Sequence, residues 1–549
     1  MGLYLLDYGA GNVQSLANSL TKLGHTFTWI ATPEDFDKAT SLIFPGVGAF
    51  ETAVDGLASR GLLEPLRAYL RSGRPYFGIC IGMQVLFASS AECAGSAGLN
   101  LIPSPITEFD STDKSVPHMG WNSTTRVFPQ QGMDAQDYYY FVHSYCAKYD
   151  PVAYPEAATW AHTVTQYGQE LFMSTVQKGN VFGVQFHPEK SGAAGLALLD
   201  EWLRKSETER SSLSATSCTG SAPVLKPSSK QTLTKRIIAC MDVRANDQGD
   251  LVVTKGDQYD VREKSDIKTD SAGAVRNLGK PVALTARYYE AGADEICLLN
   301  ITSFRHSPLR DQPMLAVVRA AAETVFVPLT IGGGIKDSVD PDGTKRTALE
   351  VAGVYFRAGA DKVSIGSEAV YAVERLRERG GHGDGTSAIE TIAKTYGRQA
   401  VVVSIDPKRA YVDASYDGPR KDEIVRGEDG KAWWYQCTVS GGRESRDLSV
   451  VELAQGVETL GAGELLVNSI DRDGTGKGFD LDLLSLVKKS VRIPVVASSG
   501  AGAPGHFVDV FRKTGVESAL AAGILHREEV RIEDVKAALA AEGIPVRRG

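Results

Sequence analysis

Cys80 stands in the string Gly-Ile-Cys-Ile-Gly, after the apolar run Tyr76–Ile79 and before a stretch from Met83 that reads as helix. A strand-to-helix turn between glycines exposes its side chain, and a helix N-terminus lowers a thiol's pKa. Taken alone, a cysteine among small residues also reads as a buried structural residue. A second string bears on the choice. Gly183–Ser191 reads GVQFHPEKS, a strand that ends in His187-Pro188-Glu189. An imidazole base with an orienting carboxylate two residues on is the arrangement that activates a nucleophile. In IFPGVGAF (Ile43–Phe50), Gly46, Val47 and Gly48 follow another strand, and their N–H groups could stabilise an oxyanion.

A second chemistry is written further along. RIIACMDV (Arg236–Val243) and AVVVSIDP (Ala400–Pro407) are apolar runs that end at Asp242 and Asp406. Paired carboxylates at strand ends suit general acid/base work on a substrate held between them. A single strand-end aspartate is as readily a helix N-cap; a repeat-related pair favours the catalytic reading. Gly332-Gly333-Gly334 and Ser499-Gly500-Ala501-Gly502 follow two further apolar runs, and Gly366-Ser367 and Ala522-Gly523 follow two more. Small residues there let backbone N–H groups reach a phosphate. Two such clusters imply a substrate with a phosphate at each end. Finally, Arg236, Glu295, Lys362 and Glu464 each stand immediately before an apolar run. Any one reads as a solvated strand start; two of each sign suggest a closed ring of ion pairs.

The elements that must hold these residues come from an internal repeat. RIIACMDV parallels AVVVSIDP, and AGADEICLLNIT (Ala291–Thr302) parallels GAGELLVNSIDRDG (Gly461–Gly474). VPLTIGGGI (Val327–Ile335) parallels IPVVASSGAG (Ile493–Gly502), and AGADKVSIG (Ala358–Gly366) parallels TGVESALAAG (Thr514–Gly523). The order is preserved at a nearly constant offset. Each unit is an apolar strand followed by a helical stretch, so the strands are parallel. Two copies of four units make a (β/α)8 barrel, whose chemistry sits at the C-terminal strand ends. Lys336–Thr347 and Glu374–Ser387 do not fit the repeat and read as polar surface insertions, as does Ser415–Trp434 with its two terminal tryptophans. Glu207–Leu233, rich in Ser and Thr and without apolar period, reads as a linker. The expected domains are 1–206 and 234–549, joined by 207–233.

The chain has 549 residues, 43% of them apolar, which fits at least two globular domains. A net charge of −8 argues against general nucleic-acid binding. No apolar run reaches the ~18 residues of a membrane span, and the opening string has no secretory pattern. Seven scattered cysteines with no CxxC pair suggest a reducing compartment and no zinc site. A cytoplasmic protein without metal or organic cofactor is expected.

GICIGMQ and HPEKS resemble the Cys and His/Glu motifs of class I glutamine amidotransferases, over nearly all of Met1–Lys205. That resemblance implies an α/β domain with a flavodoxin-like open sheet. It also implies that Cys80 attacks the glutamine amide, His187 shuttles the proton and Glu189 orients it, with Gln84 helping to hold glutamine. DYGAGN (Asp7–Asn12), PHMGWN (Pro117–Asn122) and YYYFVHSY (Tyr138–Tyr145) narrow the likeness to the glutaminases of imidazole glycerol phosphate synthases. His118 and His143 read as structural or interfacial, since the triad already has its base. IDRDGTGKG (Ile470–Gly478) and DKVSIG extend the likeness to the cyclase barrel of the same family, in the fused form of eukaryotic histidine biosynthesis.

The resemblance carries general acid and base onto Asp242 and Asp406 and a mobile-loop lysine onto Lys255. It adds Ser364, Asp471 and Asp473 as substrate contacts to the phosphate set of Gly333, Gly334, Gly366, Ser499, Gly500, Gly502, Ala522 and Gly523. Asn300 stands where bacterial relatives carry Asp. The charges Arg236, Glu295, Lys362 and Glu464 match the family's ammonia gate. Glutamine and the bisphosphate nucleotide PRFAR are the implied substrates, each domain is the other's partner, and a monomer is expected. Two rival functions compete with this one. A sugar isomerase barrel has no use for a glutaminase. A regulatory scaffold would not need both aspartates and both phosphate strings.

Overall fold

The computed structural model describes residues 2–9, 11–93, 95–128, 137–211, 222–228, 232–246, 250–254, 277–301, 309, 312–413 and 415–548. Two compact units emerge. One is built on Met1–Thr234, the other on Lys235–Ala321, Pro328–Lys394 and Arg398–Gly549.

The first unit carries a mixed eight-stranded sheet. Its strands are β1 (Gly2–Leu6), β2 (Thr28–Ile30), β3 (Ala39–Phe44), β4 (Tyr76–Ile79), β5 (Thr125–Arg126), β6 (Ala161–Tyr167), β7 (Glu170–Lys178) and β8 (Val181–Val184). They run in the order β2-β1-β3-β4-β8-β7-β6-β5. The five from β2 to β8 are parallel and the rest antiparallel. Leu5, Ile43, Phe77, Ile79 and Val184 from the parallel strands join one buried core. Strands covered on both faces need continuous apolar runs, and these have them.

In the second unit, eight parallel strands close into a barrel. They are β9 (Arg236–Ala245), β10 (Glu295–Asn300), β11 (Leu329–Gly332), β12 (Lys362–Ile365), β13 (Val401–Ile405), β14 (Glu464–Asn468), β15 (Val495–Ser498) and β16 (Ser518–Ala521). Each pairs with the next, and β16 pairs with β9. Side chains alternate along a strand, so Arg236, Ile238, Cys240 and Asp242 share one face of β9. Ile238 and Cys240 meet Cys297, Val402, Leu466, Val496 and Leu520 in a single apolar cluster, the packed interior of the barrel.

Three details differ from the sequence reading. Trp433 and Trp434 do not end a surface loop; they are buried in a strand, Ala432–Val439, that pairs with Pro407–Val412, Val425–Arg426 and Glu444–Ser449. Arg409 and Arg420 lie over the two indole rings at 4.3 and 4.4 Å, which covers apolar area with guanidinium planes. Glu374 belongs to the helix Ser367–Glu378, so the polar insertion there is shorter than expected. The described parts of the serine-rich stretch are tied to the first unit. Tyr149 donates to the Pro223 carbonyl at 2.7 Å, the Thr232 hydroxyl to Asn122 Oδ1 at 2.6 Å, and the Thr234 N–H to the Trp121 carbonyl at 2.9 Å.

One end of the barrel is closed by charge. Arg236 pairs with Glu295 at 2.7 Å and with Glu464; Lys362 pairs with the same two glutamates at 2.7 and 2.6 Å. The Thr330 hydroxyl donates to Glu295 at 2.6 Å. All four charged side chains are at most 2% exposed. Burial pushes the Glu464 pKa up, but Arg236 and Lys362 outweigh it and hold the carboxyl below its ordinary 4.5.

Removing one member leaves a buried charge uncompensated. Glu464→Gln is expected to lower the stability of the barrel's urea transition by about 3–5 kcal/mol near neutral pH. A carboxyl depressed on folding contributes stability above its unfolded pKa and loses it as pH falls through the folded value. The gap between wild type and variant should therefore be widest above pH 4.5 and narrow below it; a gap that does not change with pH would contradict the assignment.

Candidate active site

Cys80 sits at the end of β4 in a conformation that side chains rarely adopt, with φ 51° and ψ −103°. Its N–H donates to the Val184 carbonyl at 2.7 Å, which ties the turn to β8. The flanking glycines are there for close approach. A Cβ at Gly82 would lie 2.0 Å from the Phe44 carbonyl oxygen, and one at Gly78 would lie 2.4 Å from the Gly82 oxygen. The helix after the turn begins at Ile81, not Met83, and spans one turn, Ile81–Gln84. So short a helix has few aligned peptide units to sum into a dipole.

β8 pairs with β4 in register, Gly183 with Gly78 and Val184 with Ile79. The chain beyond β8 therefore passes beside Cys80 and delivers His187, whose N–H donates to the Tyr140 carbonyl at 3.0 Å. His187 Nδ1 and Glu189 Oε1 are 2.8 Å apart, both residues buried. Burial pushes the imidazole pKa down, but the Glu189 carboxylate and the Cys80 sulfur outweigh it and hold it well above its ordinary value. A ring that keeps its proton can stabilise a thiolate and protonate a departing amine.

Of the oxyanion segment, Gly46 packs against the elbow. A Cβ there would lie 2.0 Å from Ile81 Cγ2. The Val47 carbonyl accepts from the buried Tyr8 hydroxyl at 2.8 Å, and Tyr8 leaves no room for a Cβ at Gly48, which would stand 2.7 Å from the hydroxyl. Gln84 is buried, and its amide nitrogen donates to the Tyr145 carbonyl and to Gln185 Oε1, each at 3.0 Å.

In the barrel, Asp242 lies in β9 and Asp406 directly follows β13. Asn468, at the end of β14, donates to Asp406 Oδ1 at 2.9 Å and to Ser404 Oγ at 3.0 Å, and Thr438 donates to the Asp406 carbonyl at 2.6 Å. The glycine clusters follow their strands. Gly333 and Gly500 have φ of +88° and +94°, and a Cβ would meet the Asn300 oxygen at 2.0 Å or the Gly478 oxygen at 2.3 Å. Gly334 also has a positive φ, +81°, and a Cβ at Gly502 would meet the Gly476 oxygen at 2.3 Å. Ser499 has φ 71° without being glycine. Gly366 and Ala522 share an unusual backbone, ψ −109° and −82°, and each N-caps a helix, the second beginning at Gly523. The Ser364 hydroxyl, in β12, is buried and has no hydrogen-bond partner among the described residues. Asp471 accepts from the Arg409 N–H at 2.9 Å, and Asp473 stands 3.5 Å from the Ser499 hydroxyl. Lys255 lies outside the described residues.

The sequence reading overlooked Asn468, Gln185 and Tyr8. Counting in twos from Glu464 puts Leu466 and Asn468 on the inward face, so Asn468 could have been found. Gln185 is a polar residue in the apolar run GVQF, a weaker signal. Tyr8 lies in the string DYGAGN, but nothing in that string shows that its hydroxyl reaches Val47.

The family described as "Glutamine amidotransferase class-I" matches residues 4–205, and the one described as "Histidine biosynthesis protein" matches residues 236–531. The chain is 53% identical to the imidazole glycerol phosphate synthase hisHF of Schizosaccharomyces pombe, over 99% of each chain. It is 50% identical to that of Emericella nidulans, over 100% of this chain and 99% of the relative. It is 51% identical to the chloroplastic hisHF of Arabidopsis thaliana, over 99% of this chain and 89% of the relative. With a class I amidotransferase unit and a closed histidine-biosynthesis barrel in one polypeptide, the chain belongs to the family of fused imidazole glycerol phosphate synthases.

Proposed function

We propose that the chain releases ammonia from glutamine at Cys80 and uses it in the barrel to convert PRFAR to imidazole glycerol phosphate and AICAR. The Cys80 thiolate attacks the amide carbon, Gly46, Val47 and Gly48 receive the oxyanion, and His187, oriented by Glu189, protonates the amide nitrogen so that the C–N bond breaks and neutral ammonia leaves. Water then hydrolyses the thioester to glutamate, with His187 as base. In the barrel, ammonia attacks the ribulosyl carbonyl carbon. Asp242 and Asp406 transfer the protons of the elimination and ring closure. The clusters around Gly333, Gly366, Gly500 and Ala522 hold the two phosphates through backbone N–H groups.

The observation that carries this reading is the inward face of the barrel. It has a closed charge ring at one end and the two aspartates at the other, six residues apart on β9, or roughly 20 Å. Between them the lining is mainly apolar, with Ile238, Cys240, Cys297, Val402 and Leu466. Neutral ammonia can cross such a lining and ammonium cannot. Arg236, Glu295, Lys362 and Glu464 are thus the gate. Asn468 fixes the carboxylate of Asp406 for its proton transfer. Among the described residues no helix is long and apolar enough to cross a membrane, and the described cysteines are free. The working form in this reading is a cytoplasmic monomer that acts on small-molecule substrates, with neither nucleic acid nor membrane as partner.

Cys80→Ala is expected to lower glutamine-dependent turnover by at least about 10⁴-fold while ammonia-dependent turnover stays within about twofold of wild type. Asp406→Asn or Asp242→Asn should abolish cyclisation with either nitrogen source. Steady-state assays with glutamine and with ammonium salts check both, and near-normal ammonia-dependent rates in both aspartate variants would refute the acid/base roles. Lys362→Met is expected to uncouple the two reactions. More than one glutamine should be consumed per imidazole product, while ammonia-dependent synthesis changes less. A one-to-one ratio kept in that variant would rule the gate out.

A further inference from the structure

A chain of buried hydrogen bonds runs through the first unit and ends on the Cys80 sulfur. Its polarity follows from its partners. His143 Nδ1 faces the Tyr145 carbonyl oxygen at 2.8 Å. A carbonyl only accepts, so Nδ1 carries the proton. Burial pushes the His143 pKa down to about 3, so the ring is neutral and its Nε2 is an acceptor. His118 Nδ1, 3.2 Å from that Nε2, must then donate. His118 is neutral too, because burial and then His143 hold its pKa well below the ordinary value. Its Nε2 is therefore an acceptor, and Asn122, 3.1 Å away, must turn its NH2 toward it. The other end of Asn122 agrees. Its Oδ1 accepts from the Ser123 N–H at 2.9 Å and from the Thr232 hydroxyl at 2.6 Å.

The same logic runs the other way from Tyr145. Gln84 meets that carbonyl at 3.0 Å, so its NH2 faces it, and the second N–H reaches Gln185 Oε1 at 3.0 Å. With its oxygen occupied, Gln185 has only its NH2 to offer Cys80 Sγ, 3.5 Å away. Gln185 is fully buried, so its amide has no water to turn to.

We propose that Gln185 is a positioning residue for glutamine hydrolysis: Gln84 locks its amide so that an N–H points at the Cys80 sulfur and favours the thiolate. The inference rests on the reading of Cys80 as the nucleophile. An N–H donated to an anion is stronger than one donated to a neutral sulfur, so the bond lowers the energy of the thiolate more than that of the thiol. The one-turn helix after Cys80 leaves this task to side chains. The titratable groups that act on the sulfur are His187 and Tyr8, with Glu189 acting through His187. Tyr8 stays a neutral phenol, because burial and then Cys80 raise its pKa well above the ordinary value.

The test is the pH dependence of Cys80 alkylation by iodoacetamide in the full chain, followed on the Cys80 peptide by mass spectrometry. Gln185→Met keeps the volume and removes the donor. It should move the alkylation midpoint up by roughly one pH unit. It should lower the glutamine-dependent kcat about tenfold, with KM changed less than about twofold. Ammonia-dependent turnover in the barrel should be unchanged, and an unshifted thermal unfolding transition of the first unit reports that the unit holding Gln185 is folded. An unmoved midpoint in such a folded variant overturns the proposal, because taking away an N–H that favours the thiolate must raise the thiol's midpoint. If Gln185→Met does not fold, Gln185→Glu replaces the donor by an acceptor of the same shape. It must move the midpoint further up, and a wild-type midpoint there overturns the proposal as well. Failure of the underlying reading looks different: Cys80→Ala would then retain glutamine-dependent turnover, whatever the midpoints do.

Discussion

Two cations and two carboxylates packed out of water at one end of the barrel set the terms for the rest of that unit. Each of Arg236 and Lys362 meets both Glu295 and Glu464, so no pair is complete without the other. Such an arrangement tolerates no slip. Shifting one strand by a residue would turn its charge to the other face and leave two partners unmatched in a low-dielectric interior. Apolar strands of similar sequence can pair in several registers, and the ring selects one. The same selection carries Asp242 to the opposite end, because it shares a face of β9 with Arg236; Asp406, on a strand without a ring member, follows through the pairing of β13 with β12 and β14.

The first unit uses a different device. Its key residue is held in a backbone conformation that costs of order 1–3 kcal/mol, made possible by glycines on either side and by a hydrogen bond to the neighbouring strand. Pairing of β4 with β8 then brings His187 alongside, although more than a hundred residues separate it from Cys80 in sequence. Strand ends do the positioning in both units. In one a strained turn projects a single side chain; in the other eight unstrained strands project several toward a common axis.

Much of this was legible in advance because it is local. Glycines around Cys80, the His187-Pro188-Glu189 triplet, apolar runs with aspartate at their ends and a four-part repeat are patterns of type and spacing, and the backbone imposes them. What escaped depends on distant packing. Whether Trp433 and Trp434 cap a loop or fill a sheet is decided by Arg409, Arg420 and the strands around them. The helix after Cys80 stops at Gln84 because the chain enters a strand, Phe87–Ser90, that pairs with Ile102–Glu108; its start was misplaced by two residues. The orientation of Gln185 is dictated by Gln84, which is itself turned by the Tyr145 carbonyl. The tie between Asn468 and Asp406 needed only the strand period, applied to the right starting residue.

The eight strands repeat as two sets of four, yet the charges do not follow that symmetry. Glu295 and Glu464 open the second strand of each set and are true counterparts. Both cations, Arg236 and Lys362, come from the first set. A pair made of two copies of the first half would enclose four cations and two carboxylates; a pair made of two copies of the second half would enclose two carboxylates alone. Either assembly would bury two uncompensated charges, at several kcal/mol for each. Only the heterologous union is neutral. Whatever ancestry the repeat records, each half now supplies counter-charge to the other, and pairing with its own kind would forfeit that neutrality.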